Sequence, residues 1–112
     1  MIKVEIEYQQ DNIRSFSVTG HAGFRSAGED IYCAGVSAVT QTALLGLIDH
    51  LHTEPEYRLE KGFMKCRLPS GLSEEDQEKA QIILSTMEKG LKSMEGAYAG
   101  YLIVLVRRSK DV

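Results

Sequence analysis

Apolar residues recur at every second position in some segments of the chain and at every third or fourth position in others. This change of periodicity constrains the fold more than any other feature of the sequence. Four segments with a spacing of two are typical of half-buried strands: 2–8, 15–19, 57–61 and 64–68. Spacing of three and four predicts two amphipathic helices: 31–51 and a second from Ser73 to near Gly96. The uniformly apolar run 101–106 predicts a central strand that is buried on both faces, by helices or by a partner subunit.

The resulting order, β-β-α-β-β-α-β, predicts an α+β fold. Short polar turns join the first two strands, and Lys61-Gly62 joins the next two, so each pair is expected to form an antiparallel hairpin. Two helices can cover one face of a mostly antiparallel sheet of about five strands, which gives a two-layer sandwich. Residues 1–112 are expected to form a single domain, and the pattern leaves the strand order open.

The segment between the second strand and the first helix contains the candidate chemistry. Asp30 suits the N-cap of the predicted helix, which makes Cys33 the third helical residue. Unpaired amides and the macrodipole at that position favour the thiolate, the nucleophilic form of cysteine. His21 precedes Cys33 by 12 positions in a glycine-rich stretch and can fold back toward it. A cysteine, a histidine and a nearby carboxylate are the parts of an activated nucleophile.

Structural roles for the same residues remain open. A single cysteine near a helix start is often a small core residue, and a single histidine is often structural. The small residues at the helix start allow a substrate to approach closely, or they allow close helix packing: Ala34, Gly35, Ser37 and Ala38. Cys66 has a different environment, because it shares a strand face with Met64 and Leu68, and it is expected to be a buried structural thiol.

The motif Gly20-His21-Ala22, followed by Gly28-x-Asp30-Ile31-x-Cys33-Ala34-x-Val36-Ser37, resembles the signature of the ribosomal-processing cysteine proteases. The resemblance covers essentially the whole chain, although Gly35 stands where alanine is common. It implies that Cys33 is the catalytic cysteine, His21 the catalytic histidine and Asp30 the family's acidic position. It also implies cleavage of the N-terminal extension of a large-subunit ribosomal protein, the one numbered twenty-seven, after an aromatic-rich stretch. A homodimer is implied as well.

A mechanism for such an enzyme assigns roles to further residues. Backbone amides near Cys33 and Ala34 are candidates for holding the oxyanion, and Asp30 either caps the helix or orients His21. Ser37 lies one turn beyond Cys33 on the same helix face and can contact the thiol or the substrate. A shallow apolar groove beside the dyad is expected to receive the substrate's aromatic side chains. The expected substrate loop comprises Gly20, Ala22, Gly23, Phe24, Arg25 and Gly28.

Composition narrows the possible partners. The net charge of −3 and the absence of a long basic run argue against direct nucleic-acid binding and permit weak attraction to a basic peptide. No apolar run is judged long enough to span a membrane, and the N-terminus lacks a signal-peptide core, so a cytoplasmic protein is expected. Neither a disulfide nor a cofactor is expected, and His50 and His52 do not form a recognised metal spacing.

Two other functions fit the same residues. A non-enzymatic ribosome-associated protein could use Cys33 as a structural helix-start residue. A thiol redox sensor could use Cys33 as an oxidisable thiol, although it would have only Cys66 as a resolving partner. A protease requires both His21 and Cys33, a sensor requires Cys33 alone, and a scaffold requires neither.

Overall fold

The computed structural model describes residues 1–20 and 27–109, with side chains described for 1–20 and 31–109. Five strands and two helices follow one another in the predicted order. Their bounds are β1 Ile2–Gln9, β2 Asn12–Thr19, α1 Ala27–His50, β3 Glu56–Glu60, β4 Phe63–Arg67, α2 Glu74–Ala97 and β5 Leu102–Ser109. The predicted α+β class and element order are therefore confirmed.

The strands form one mixed sheet in the order β3-β4-β2-β1-β5. Both predicted hairpins, β1–β2 and β3–β4, are antiparallel, and β2 pairs antiparallel with β4. The only parallel pair in this sheet joins β1 to β5, with Ile2 opposite Leu102. A parallel pair requires a crossover connection, which the segment containing α2 supplies.

The position of β5 differs from the prediction. This strand lies at an edge of the sheet, so its assignment as a central strand was wrong. Its two faces also differ, since Leu102 is buried whereas Ile103 on the opposite face is 36% exposed. The uniformly apolar run therefore reflects one face packed in the core and a second face that is only partly covered.

Both helices pack on one face of the sheet, where the core lies. Along β1, Ile2, Val4 and Ile6 are buried while the alternating residues Lys3 and Glu7 are exposed on the other face. The core is completed by residues from both helices and from β2 and β4, namely Ile13, Phe16, Val36, Leu47, Met64, Cys66, Leu84 and Leu91. The predicted two-layer arrangement follows from this one-sided burial.

The first helix starts earlier than the sequence pattern indicated. It begins at Ala27 rather than near Ile31, so Asp30 lies inside the helix and its assignment as the N-cap was wrong. Cys33 is consequently in the second helical turn and is not the third helical residue. The apolar periodicity missed this extra turn because residues 27–30 contribute little to the apolar stripe.

The length of α1 also corrects a second prediction. By length and composition alone, Ile31–His50 is suited to crossing a membrane, contrary to the expectation that no apolar run is long enough. A core helix of a globular protein passes the same test. Within α1, Val36, Leu44 and Leu47 are buried in the core against the sheet and α2.

The second helix is anchored at its start by the predicted cap. The Ser73 side chain accepts a hydrogen bond from the Asp76 amide at 3.1 Å. The buried Asp76 carboxylate accepts the His52 backbone amide at 2.8 Å and lies 3.0 Å from its ring Nδ1. Farther along, the Gln81 side chain bonds both the amide and the carbonyl of Ile13, at 2.8 and 2.9 Å. These contacts fix α2 against the end of α1 and against β2.

Candidate active site

Cys33 is half-buried on α1 and lines a cavity of about 210 Å³. The same helix contributes Ser37 and Gln41 to this cavity. The three residues are spaced by four, so they lie on one face of the helix. The structure therefore places Ser37 beside Cys33 in one cavity, as the spacing predicted, and adds Gln41 one turn farther along.

The far wall of the cavity comes from the β3–β4 hairpin. Leu59, Glu60 and Phe63 line this wall together with Gly62 at the turn. The floor is largely apolar and is formed where the helix layer meets the sheet, by Ile2, Val18, Val36 and Met64. The buried Thr40 also lines the cavity, and its hydroxyl donates a hydrogen bond to the Val36 carbonyl at 2.8 Å. The cavity thus lies between the start of α1 and the hairpin and has hydrocarbon beneath it.

Gly20 connects this hairpin to the segment that contains His21. Its amide donates a hydrogen bond to the Gly62 carbonyl at 3.3 Å. Gly20 has a φ of +84°, and a Cβ added there would lie 2.5 Å from the Met1 carbonyl oxygen. Only glycine fits this position without a shift of the backbone. The residue directly before His21 is therefore held against the wall of the cavity.

An aromatic cluster positions the start of α1 from the other side. The Tyr32 ring stacks on Tyr101 with centroids 4.3 Å apart, and meets the Tyr98 ring edge-on at 4.6 Å. Tyr98 ends α2 and Tyr101 precedes β5, so the cluster joins α1 to both of these elements. Because Tyr32 directly precedes Cys33, this packing restrains the helical turn that carries the thiol.

The small residues at the start of α1 were predicted to allow either close helix packing or close approach of a substrate, and they differ in which of these the structure supports. A Cβ at Gly35 would lie 3.3 Å from both Met94 Cε and Tyr98 Oη, so a small residue there permits close packing of α2. Ala34, Ser37 and Ala38 are instead exposed. Helix packing thus accounts for Gly35, and the exposed positions leave one side of the helix accessible.

Several predicted site residues lie outside the described residues. His21, Ala22, Gly23, Phe24 and Arg25 are among them, so the predicted dyad and most of the substrate loop remain predictions. Gly28 and Asp30 are described only as backbone, in the first turn of α1.

The new start of α1 affects the predicted oxyanion donors. In a helix that begins at Ala27, the amides of Cys33 and Ala34 lie beyond the first four positions, where amides normally bond carbonyls within the helix. The predicted role of these two amides loses its physical basis, since it depended on a helix start near Ile31. In a helix that begins at Ala27, the amides without a helical carbonyl partner include those of residues 27–29.

Cys66 occupies the contrasting environment that its strand position predicted. It is 2% exposed in the core, and burial raises the pKa of its thiol to about 12. A thiol that is neutral and inaccessible at neutral pH is a poor nucleophile. The prediction of a buried structural thiol is confirmed.

Sequence reasoning missed most of the residues that build the cavity. Gln41 carried a signal, since it continues the four-residue spacing of Cys33 and Ser37. Leu59 and Phe63 carried none, because they are distant in sequence and reach the cavity only through the strand order. The role of Tyr32 was equally hidden, since its partners are at the far end of the chain.

Comparisons with known proteins show which family and which structures the chain is similar to. A family model described as cysteine protease Prp matches residues 1–103. The ribosomal processing cysteine protease Prp of Bacillus subtilis strain 168 is 35% identical over 107 residues, which cover 93% of this chain and 96% of that protein.

Solved structures share the fold. A protein from Streptococcus mutans, 22% identical, superimposes with a TM-score of 0.86 over 97% of this chain and 96% of that one. The essential ribosomal processing protease Prp of S. aureus, solved with a covalently linked product peptide, is 26% identical with a TM-score of 0.80. Its complex with a substrate peptide is 25% identical with a TM-score of 0.81. Each S. aureus comparison covers 96% of this chain and all of the other.

Proposed function

Because this chain belongs to the Prp family of cysteine proteases, we propose that it removes the N-terminal extension of a large-subunit ribosomal protein precursor, the protein numbered twenty-seven. The observation that carries the proposal is the cavity beside Cys33, which is open on one side and apolar at its floor. Such a cavity suits an apolar side chain of a bound peptide. The related protease from S. aureus was solved with substrate and product peptides, which supports a peptide substrate here.

In the proposed reaction, His21 removes the proton from the Cys33 thiol, and the resulting thiolate attacks the scissile carbonyl carbon. The tetrahedral intermediate collapses to a thioester as the C–N bond breaks, and the histidine protonates the leaving amine. A water molecule, deprotonated by His21, then attacks the thioester. The new carboxylate leaves and the proton returns to the Cys33 sulfur, which restores the starting enzyme.

Asp30 and the oxyanion donors follow from the observed helix start. The position of Asp30 in the first turn of α1 does not support capping, and we assign this residue to orientation of His21. The amides of residues 27–29 have no carbonyl partners earlier in the helix, which makes them better oxyanion donors than the amide of Ala34.

The burial of Cys66 also favours a protease over a redox sensor. A sensor that closes an intramolecular disulfide needs a second thiol that can reach the oxidised one. Cys66 lies in the core, and burial raises the pKa of its thiol. Its use as a resolving partner would require local unfolding of the sheet, whereas peptide hydrolysis requires no second cysteine.

Cleavage of a synthetic peptide tests the proposal. The peptide carries aromatic residues before the scissile bond and a small residue after it, and products are identified by mass spectrometry. The native protein and Cys66→Ala are expected to cleave it, while Cys33→Ala and His21→Ala are not, with folding confirmed by circular dichroism. Normal turnover by Cys33→Ala would falsify the mechanism, and normal turnover by His21→Ala would exclude the histidine as the base. No cleavage by the native protein would favour the sensor or the non-enzymatic function.

A second peptide tests the substrate class. Replacing the aromatic residues with alanine is expected to lower kcat/KM by a factor of tens or more, since burial of each aromatic contributes roughly 1.5–3 kcal/mol. Both peptides must be compared at the same salt concentration and pH. Equal rates would show that the cavity does not recognise aromatic side chains, and this ribosomal substrate would then be abandoned.

We also propose that the protein acts as a cytoplasmic homodimer and does not bind nucleic acid directly. Among the described helical side chains, three large apolar ones are more than 60% exposed, which supports an interface there: Ile31, Leu45 and Ile82. Light scattering after size-exclusion chromatography is expected to give twice the chain mass, and Leu45→Lys is expected to lower this mass. A monomer at all micromolar concentrations would contradict the dimer.

The cytoplasmic location and the lack of nucleic-acid binding have separate tests. Fractionation of cells tests the location, and RNA titration tests the expected lack of nucleic-acid binding.

A further inference from the structure

Two apolar side chains of β3 remain outside the core although they lie on its side of the sheet. Leu59 is opposite the buried Met64 on β4, and Tyr57 is opposite the buried Cys66, so each pair shares the helix-side face. Leu59 is nevertheless 49% exposed and Tyr57 47% exposed. The helix layer therefore stops short of β3, whose five residues are all exposed.

The exposure of Leu59 leaves an apolar side chain uncovered on an edge strand. Apolar residues on an open edge strand favour aggregation, and proteins usually cover or charge such edges. The opposite edge of this sheet has such cover, since the Val104 amide on β5 donates to the Glu95 carboxylate of α2 at 2.7 Å. On β3, Leu59 and Tyr57 are neighbours on one face, and adjacent exposed apolar side chains are typical of contact surfaces.

Leu59 also lines the cavity that contains Cys33, whereas Tyr57 does not. At about 210 Å³, the cavity is smaller than the roughly 300 Å³ typical of small-molecule sites. It therefore suits one side chain of a longer ligand better than a complete small molecule. The remainder of the peptide chain would lie outside it, along the exposed side of α1.

We propose that Leu59 is a specificity-determining residue, whose side chain forms the wall against which the substrate packs an apolar side chain next to the scissile bond. This inference rests on the proposed peptidase function and assigns its side-chain selectivity to the edge strand β3. Val36 and Met64 supply the apolar floor, and Leu59 supplies the outer wall. An aromatic or large aliphatic side chain would be covered on two sides.

The apolar floor indicates which side chains the cavity rejects. An acidic substrate side chain would lose its hydration above Val36 and Met64 without gaining a cationic partner among the described residues that line the cavity. The expected order of preference is aromatic and large aliphatic first, then small, then acidic.

The test compares two forms of the enzyme on two peptides. This double-mutant design measures the interaction between the Leu59 side chain and the substrate side chain before the scissile bond. The native protein and Leu59→Ala each cleave a peptide with phenylalanine before the scissile bond and one with alanine there. The ratio of kcat/KM for the two peptides measures the selectivity for phenylalanine. Leu59→Ala is expected to reduce this ratio by ~3- to 10-fold, chiefly by slowing cleavage of the phenylalanine peptide.

Tyr57→Ala is the matched control, because Tyr57 lies on the same strand face with nearly the same exposure but outside the cavity lining. It is expected to leave the ratio unchanged. A complementary variant, Leu59→Phe, narrows the cavity and is expected to shift the preference from phenylalanine toward valine. Thermal unfolding of all three variants should match the native protein to within a few degrees, since each change is at a half-exposed side chain.

The outcomes separate this inference from the proposed function. If the native protein cleaves neither peptide, the peptidase proposal fails and the inference fails with it. If the native protein prefers phenylalanine and Leu59→Ala keeps the full preference, the peptidase function stands. The side chain that selects phenylalanine is then not Leu59. An equal loss of preference in Tyr57→Ala would also overturn the role of Leu59, because it would indicate a general disturbance of β3.

Discussion

The two cysteines are expected to differ in reactivity by orders of magnitude in the native protein. Iodoacetamide at pH 8 is a suitable probe, because it alkylates thiolates. Burial raises the pKa of the Cys66 thiol from an ordinary 9.0 to about 12. At pH 8, an ordinary thiol is ionised in about one molecule in ten, and Cys66 in about one in 10⁴.

Ionisation alone therefore slows alkylation of Cys66 by about 10³-fold, and its 2% exposure slows it further by blocking access of the reagent. Cys33 lines an open cavity and is half-buried, so the reagent can reach it. We expect the native protein to take up one label rapidly, at Cys33, and to lose peptidase activity in proportion to the label.

Intact-mass spectrometry counts the labels, and mass analysis of proteolytic fragments locates them. Cys66→Ala should take up one label at the native rate, and Cys33→Ala should take up none over the same time. Unfolding in guanidinium should expose both thiols and equalise their rates. Alkylation of native Cys66 within a factor of about ten of its rate in the unfolded protein would show that burial does not protect this thiol.

Three further changes test individual contacts. Gly20→Ala should destabilise the fold by at least ~1 kcal/mol and lower activity, because Gly20 has positive φ and its Cβ would meet a backbone carbonyl; chemical denaturation and peptide cleavage check this. Gln81→Leu should lower the free energy of unfolding by roughly 1–3 kcal/mol, because the backbone amide and carbonyl of Ile13 lose their Gln81 partner. An unchanged denaturation midpoint would show that these hydrogen bonds do not stabilise the fold. The pKa of Asp76 is below its ordinary 3.8, chiefly because the carboxylate accepts a hydrogen bond from the backbone amide of His52. The ionised carboxylate therefore stabilises the fold above pH 3.8. Asp76→Asn should be less stable than the native protein at pH 7, and the difference should shrink as the pH falls below 3.8 through the folded-state pKa; a constant difference would contradict the linkage.

The elements whose form depends on local periodicity were predictable. Strand β1 alternates apolar and charged residues, and one face must be buried whatever lies beside it. Ser73 predicted the start of α2, because a side-chain cap acts within one helical turn. Cys66 was assigned to the core from its strand neighbours alone, and its burial follows the same alternation.

Local patterns were less reliable where two structures satisfy the same residues. Asp30 is a good cap residue and also suits the first turn of a helix, so the sequence did not exclude a start at Ala27. The apolar run of β5 fits a central strand, and it fits equally an edge strand whose second face is only partly covered. The apolar content of a segment indicates that it is buried and does not specify which neighbouring element buries it.

The sequence by itself determined the element order, the two-layer fold and, through a resemblance, Cys33 as the expected nucleophile. Only the tertiary structure decided what faces that cysteine. Leu59 reaches the cavity because β3 pairs with β4, β4 with β2, and α1 crosses the helix side of the sheet without covering the edge strand. Tyr98 and Tyr101 meet Tyr32 because α2 returns the chain to β1. Contacts of this kind depend on the packing of the whole chain, since residues far apart in sequence have no shared local pattern that would identify them as neighbours.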